Sequence, residues 1–268
     1  MRSYKKFYGL AATPFRKDIP IGSLLRYDQL EELESYLTFV AEEGSIGLVT
    51  GEVGVGKSTA VRAFLATLDD RRYHVCYVGD SDATRSVLRK LAWSFGVRAA
   101  YLQGDLKYDV HQRIGDLWAE HEKRTVLVVD EAQAYGAKAL QELRLLTNFL
   151  CDSASPLGLI LAGQPQLRAQ LKQLPNEALD ERIMVRQHLA GLSKKETGEY
   201  IRAHLRAVDA PETLFADEAV ALVFQHSKGR PRRINKICIQ AMIKGGHREV
   251  NPIDADLIRQ VAKDIDQE

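Results

Sequence analysis

The sequence predicts an α/β domain built on a parallel sheet flanked by helices, followed by a small all-helical domain. Three observations predict it. Short apolar runs at 46–50, 75–78, 125–129 and 157–162 alternate with longer helical patterns, as in a doubly wound sheet. The run Thr125 to Val129 is rich in β-branched residues, which suits a strand buried on both faces. After about Gly191 no such run remains and helical periodicity takes over.

The elements follow in order. Residues up to about Arg26 are irregular and aromatic, with Tyr4, Phe7, Tyr8, Pro14 and Phe15; Pro14 and Pro20 discourage a long helix. A helix is expected from Tyr27 to Glu42, with Leu30, Leu33, Leu37 and Val40 on one face and Gly44 as its stop. The apolar run 46–50 ends in a glycine loop, and a helix follows from Lys57 to Thr67. Further helices are expected at 84–95, 109–122 and 138–149, between the later strands. Ser193 with Glu196 three residues on reads as a capping box. It opens helical segments at 193–207, 216–226, 231–244 and 253–265. The expected domains are therefore 1–190, with an N-terminal extension 1–26, and 191–268.

Composition narrows the function classes. A chain of 268 residues, 45% hydrophobic and 27% charged, buries a core without a metal or disulfide staple. It is neither disordered nor collagen-like nor a coiled-coil rod. Lys+Arg 37 against Asp+Glu 36 demands no nucleic-acid or membrane partner, though a local basic patch is compatible with that balance. Cys76, Cys151 and Cys238 stand far apart without a CxxC pattern, so no zinc site is expected and a reducing compartment fits. The opening MRSYKKFYGL has no apolar stretch of signal-peptide length. The longest aliphatic runs are too short to cross a bilayer. A cytoplasmic protein without membrane insertion is expected. No G-x-S-x-G context or histidine cluster supports a nucleophilic hydrolase.

The chemistry concentrates in two stretches. Gly51-Glu52-Val53-Gly54-Val55-Gly56-Lys57-Ser58 satisfies G-x-x-x-x-G-K-[ST], with an apolar strand before it and a helix after it. Glycines let backbone N–H groups curl around phosphate oxygens, and the helix N-terminus adds partial positive charge. Gly51, Gly54, Val55, Gly56, Lys57, Ser58 and Thr59 are the expected ATP contacts. Lys57 reaches the β- and γ-phosphates, and the Ser58 hydroxyl binds Mg²⁺. The second stretch is Val126 to Val129 followed by Asp130 and Glu131, about 70 residues after the loop. Asp130 is expected to face the Mg²⁺ at Ser58, and Glu131 to activate the attacking water.

With these motifs in place, the chain resembles the AAA+ ATPases, and within them the ExeA-like branch. Phe7-Tyr8-Gly9-Leu10 with Pro14-Phe15, Leu161 to Leu167, Leu179 to Ile183 and Gly229 to Asn235 carry the resemblance, in the expected order. It implies sensor 1 at Gln164, an arginine finger at Arg182 with Arg186 as the substitute, and sensor 2 at Arg232. A finger serves the neighbouring subunit, so the resemblance implies a homo-oligomer with shared nucleotide sites. Tyr27 is either part of an adenine pocket or ordinary core.

The branch divides between secretion proteins like ExeA and transposition regulators resembling TniB, TnsC and MuB. The size of the chain and its lack of extensions favour the second kind. That implies an ATP-dependent ring or filament on double-stranded DNA that recruits or activates a transposase, with a target-selection protein as a further partner and hydrolysis driving disassembly. Arg85, Arg89 and Lys90 on the helix after the second strand, Arg98 beyond it and Lys107 in the following loop are the expected DNA-backbone contacts. An envelope-secretion assembly ATPase is the alternative. A replication-initiator or helicase-loader ATPase is another, although no winged-helix segment follows the last helix.

Overall fold

The computed structural model describes residues 4–16, 19–79, 86–96, 103–150 and 153–267. Its strands are β1 (Ile46–Gly51), β2 (Tyr73–Val78), β3 (Arg124–Val129), β4 (Leu157–Gly163) and β5 (Ile183–Leu189). They form one sheet in the order β2-β3-β4-β1-β5, with every pairing parallel. Its helices are α1 (Tyr4–Tyr8), α2 (Asp28–Glu43), α3 (Lys57–Leu65), α4 (Ser86–Ser94), α5 (Gln103–His121), α6 (Ala137–Leu146), α7 (Gln166–Leu171), α8 (Glu177–Asp180), α9 (Lys194–Arg206), α10 (Asp217–Ser227), α11 (Pro231–Arg248) and α12 (Ala255–Gln267). The predicted α/β class and the helical C-terminal part are both present.

Parallel strands need a crossover between neighbours, and helices supply it here. Helices then cover both faces, which is why β1 and β4 are buried at every position. Leu48, Leu127, Val129, Leu159 and Leu161 from the sheet meet Leu91, Val110, Ile114, Leu140 and Leu143 from the helices in one apolar core. Truncating fully buried Leu127 to alanine would cost about 2–5 kcal/mol. Helix α2 buries the predicted stripe Leu30, Leu33, Leu37 and Val40. It lies close on the sheet because β4 offers Gly158, where a Cβ would come within 2.7 Å of the Val40 carbonyl oxygen. Gly44 ends the helix region with φ +63, a conformation that glycine adopts without penalty.

Three expectations change. Strand β5 was not predicted. It is an edge strand whose inner residues, Met184 to His188, are half-buried or exposed, so it carries no apolar run. Helix α5 begins at Gln103, not near residue 109, so Lys107 is helical and not in a loop. The N-terminal segment does not extend the sheet domain. The chain divides into one unit of Asp28–Glu52 and Lys57–Leu189, and another of Met1–Tyr27, Val53–Gly56 and Ala190–Glu268.

In the second unit Ile201, Leu205, Val223, Ile234, Ile237, Met242, Ile258 and Val261 form the core. The N-terminal segment packs into it. The Tyr8 hydroxyl donates to the Val250 carbonyl at 2.9 Å, and the Phe15 ring lies 5.2 Å from His204 and 6.1 Å from Phe215. Tyr27 also packs against this core. Burial and the nearby Glu196 push its phenol up to about 12. The capping box is present: the Ser193 hydroxyl accepts from the Glu196 N–H at 3.2 Å, and the Glu196 carboxylate accepts from the Ser193 N–H at 2.7 Å. Among the described residues, no helix is long and apolar enough to cross a membrane. None of them form a group of three or more His, Cys, Asp or Glu that could hold a metal ion.

Candidate nucleotide site

All strands run the same way, so their C-terminal ends lie along one sheet edge. Open α/β sheets bind ligands at that edge. Strand β1 ends there in the glycine loop, β3 in Asp130 and Glu131, and β4 in Gly163 before Gln164. The topology alone thus brings together three segments distant in sequence.

The loop turns through Gly54 at φ +83 and Gly56 at φ +102, conformations that L side chains rarely adopt. Helix α3 begins at once with Lys57. Lys57 is only 6% exposed. Its Nζ donates to the carbonyls of Gly51 at 2.8 Å and Glu52 at 3.2 Å, which offsets the cost of burying an ammonium. The Val55 side chain is buried, while Ser58 is exposed. Thr59 lies half-buried beside it on α3.

Asp130 receives three hydrogen bonds. The Ser58 hydroxyl donates to Oδ2 at 2.6 Å, the Tyr77 hydroxyl donates to the same oxygen at 2.5 Å, and the Glu131 N–H donates to Oδ1 at 2.8 Å. Burial, then the bond to Asp130, push the Tyr77 phenol well above its usual range. Glu131 itself has φ +50. For a residue other than glycine this is a strained backbone, of the kind that clusters at functional sites. Its Oε2 accepts from Gln133 Nε2 at 2.6 Å and from Gln164 Nε2 at 3.3 Å. The Gln133 Oε1 in turn accepts from the Gln164 N–H at 3.0 Å. Glu131, Gln133 and Gln164 therefore close a small ring of hydrogen bonds.

Tyr77 and Gln133 were missed in the sequence. Tyr77 sits in an ordinary strand pattern far from any motif. Gln133 had a signal, its position two residues after Glu131, but polar residues are common in loops.

The predicted arginines fall in three settings. Arg182 follows α8 and donates to the Thr147 hydroxyl at 3.5 Å. Arg186 is engaged by Asp180, with 2.8 Å to its carboxylate and 2.5 Å to its carbonyl. Arg232 is exposed in the first turn of α11, and its N–H donates to the Gly54 carbonyl at 3.1 Å within the same compact unit. Of the basic residues, Arg89 is exposed and Lys90 half-buried on α4, and Lys107 is half-buried on α5. Arg85 and Arg98 lie outside the described residues. Trp93, one turn beyond Arg89, is 63% exposed, and Tyr108, next to Lys107, is 65% exposed.

Residues 40–171 match the family model described as AAA domain. The chain carries an AAA+ ATPase domain. In sequence it is similar to General secretion pathway protein A of Aeromonas hydrophila, 31% identical over 92% of this chain and 46% of that protein. It is also similar to the ATP-dependent target DNA activator B of Escherichia phage Mu, 24% identical over 53% of this chain and 42% of that protein. The chain thus spans less than half the length of these relatives. In fold, the AAA+ chain is similar to the ORC2 protein of Aeropyrum pernix, with a TM-score of 0.70 at 15% identity, covering 93% of this chain and 70% of that one. Cdc6p of Pyrobaculum aerophilum gives 0.71 at 14% identity, again covering 93% and 70%.

Proposed function

We propose that this chain is an ATP-driven switch that binds ATP with Mg²⁺ at the glycine loop, hydrolyses it, and acts on duplex DNA in the ATP state. The observation that carries the nucleotide part is the 2.6 Å hydrogen bond between Ser58 and Asp130, with Glu131 next in the chain. A hydroxyl and a carboxylate oxygen beside a phosphate loop suit a hard divalent cation that keeps most of its other positions for phosphate and water. Ser58 and Asp130 would hold the ion, which when bound neutralises charge on the phosphates. Residues 51 to 59 offer backbone N–H groups to the phosphates, and Lys57 adds a point charge. Glu131 orients and deprotonates the attacking water, and Gln133 and Gln164 hold its carboxylate in place.

Arg182 is the proposed finger, with Arg186, which Asp180 bridges, as the substitute. Supplied to the site of a neighbouring copy, its guanidinium would neutralise charge in the transition state. Arg232, in the first turn of α11, is proposed as sensor 2.

In the ATP state, copies would assemble as a ring or filament on double-stranded DNA and recruit or activate a transposase, with a target-selection protein upstream. The phage Mu relative, a target DNA activator dependent on ATP, supports this reading. Arg89, Lys90 and Lys107, with exposed Trp93 and Tyr108, are the residues proposed for DNA contact. Single phosphate contacts are weak, but they add along an oligomer. A second reading is service to an envelope secretion complex. The Aeromonas relative favours it, aligning with 92% of this chain. Both readings put the activity in the cytoplasm.

The test is binding of a labelled duplex of arbitrary sequence with a non-hydrolysable ATP analogue, with ADP, and without nucleotide. Cooperative binding only with the analogue is expected. No binding in any state would turn the assignment to the secretion reading and leave the ATPase site standing.

A further inference from the structure

Strand β2 lies at the sheet edge. Cys76 and Val78 point into the core, whereas Val75 and Tyr77 are 36% and 43% exposed. A tyrosine on an edge strand is commonplace. The place its hydroxyl reaches is not.

Register explains the reach. Tyr77 pairs with Val128, and Val78 with Val129. The Asp130 N–H donates to the Val78 carbonyl at 2.8 Å, so the ladder runs one residue past β3. Side chains two residues apart share a face, which puts Asp130 on the face of Val128 and of Tyr77. The separation is one diagonal step, within reach of an aromatic side chain. Gly79 leaves the space for the ring, since a Cβ there would come within 2.6 Å of Tyr77 Cε1.

The two hydroxyls on Asp130 Oδ2 then have different prospects. Ser58 is the residue expected to turn toward a cation. Tyr77 comes from another strand and donates to the same oxygen at 2.5 Å. We propose that Tyr77 is a positioning residue for the metal-binding carboxylate: its hydroxyl fixes Asp130 so that the Ser58–Asp130 pair is preset for a divalent cation. This rests on the nucleotide reading above. Partners that orient metal-binding groups typically change metal affinity by about ten- to a hundredfold when removed.

The test uses the full chain and the variant Tyr77→Phe, which keeps the ring and removes the hydroxyl. Binding of a fluorescent ATP analogue is titrated with Mg²⁺ and repeated in EDTA. The Mg²⁺ concentration at half-effect should rise about tenfold, with affinity in EDTA and the melting temperature unchanged. Gly79→Ala, which crowds the ring, should shift the Mg²⁺ dependence the same way and add nothing in the Tyr77→Phe background. An unchanged Mg²⁺ dependence in Tyr77→Phe would overturn the proposal while the nucleotide reading stood. Equal weakening in EDTA and in Mg²⁺ would also overturn it, by showing that Tyr77 only supports the fold. Failure of the wild-type chain to bind the analogue would overturn both.

Discussion

Asp130 in the sheet unit and His204 in the helical unit are both sealed from solvent, at 4% and 3% exposure, yet they are held in opposite ways. Three donors converge on Asp130. His204 instead lies among rings, 5.2 Å from Phe15 and 4.4 Å from Tyr200, and its Nε2 has no hydrogen-bond partner among the described residues. Burial lowers its pKa to about 4, so the ring is neutral at pH 7. The contrast separates two uses of a buried polar group. Where donors gather on a carboxylate at the strand ends, the chain is arranged to handle charge. Where a polar ring is simply packed, it serves the core and charge is excluded.

This contrast requires that changes in one region alter binding and changes in the other alter stability. The largest effect on ATP binding belongs to Lys57→Ala. Losing two charge-assisted hydrogen bonds and the point charge proposed to face the phosphates should weaken ATP binding about a hundredfold or more. Fluorescent-analogue titration and a thermal melt together check this, and the melt should move little. An equal loss of fold would mean that Lys57 is structural.

His204 gives the complementary result. In the unfolded chain it takes up a proton as pH falls below about 6.5, but in the folded chain only near 4. Its contribution to stability is therefore complete above pH 6.5 and lost as pH falls toward 4, by up to about 3 kcal/mol. Urea unfolding at pH 7, 5 and 4 should show that His204→Leu is less sensitive to acid than the wild type. ATP binding at pH 7 should be unaltered. Equal acid sensitivity in the two proteins would remove His204 from the account.

The smallest effect is expected at Gln133. Gln133→Ala removes the 2.6 Å bond to Glu131 and should lower kcat about tenfold with ATP affinity unchanged. Steady-state kinetics beside a binding titration separate the two. A loss of affinity would show that Gln133 acts on binding and not on the carboxylate.

What could be read from the sequence follows from how far apart the cooperating residues lie. The glycine loop is contiguous, so its spacing shows it directly. Asp130 and Glu131 close an apolar run and are nearly as plain. Among the described residues, four of the five strands of the sheet are apolar runs and were found. Strand β5 was not, because its edge position leaves Met184, Arg186 and His188 exposed and gives no apolar run to detect. The contact of Tyr77 with Asp130 spans 53 residues, and that of Tyr8 with Val250 spans 242. Neither leaves a local trace, since each depends on strand register or on helix packing that forms only in the folded chain. Gln133 is local but ordinary in composition, and only its bond to Glu131 distinguishes it.

The most direct test of the central claim compares Glu131→Gln with the wild-type chain in ATP binding and in hydrolysis under multiple-turnover conditions. The substitution keeps the size of the side chain and removes the proposed base. The account predicts unchanged Mg–ATP affinity with turnover reduced about 10²–10⁴-fold. Hydrolysis at the wild-type rate would contradict it and remove Glu131 from the chemistry.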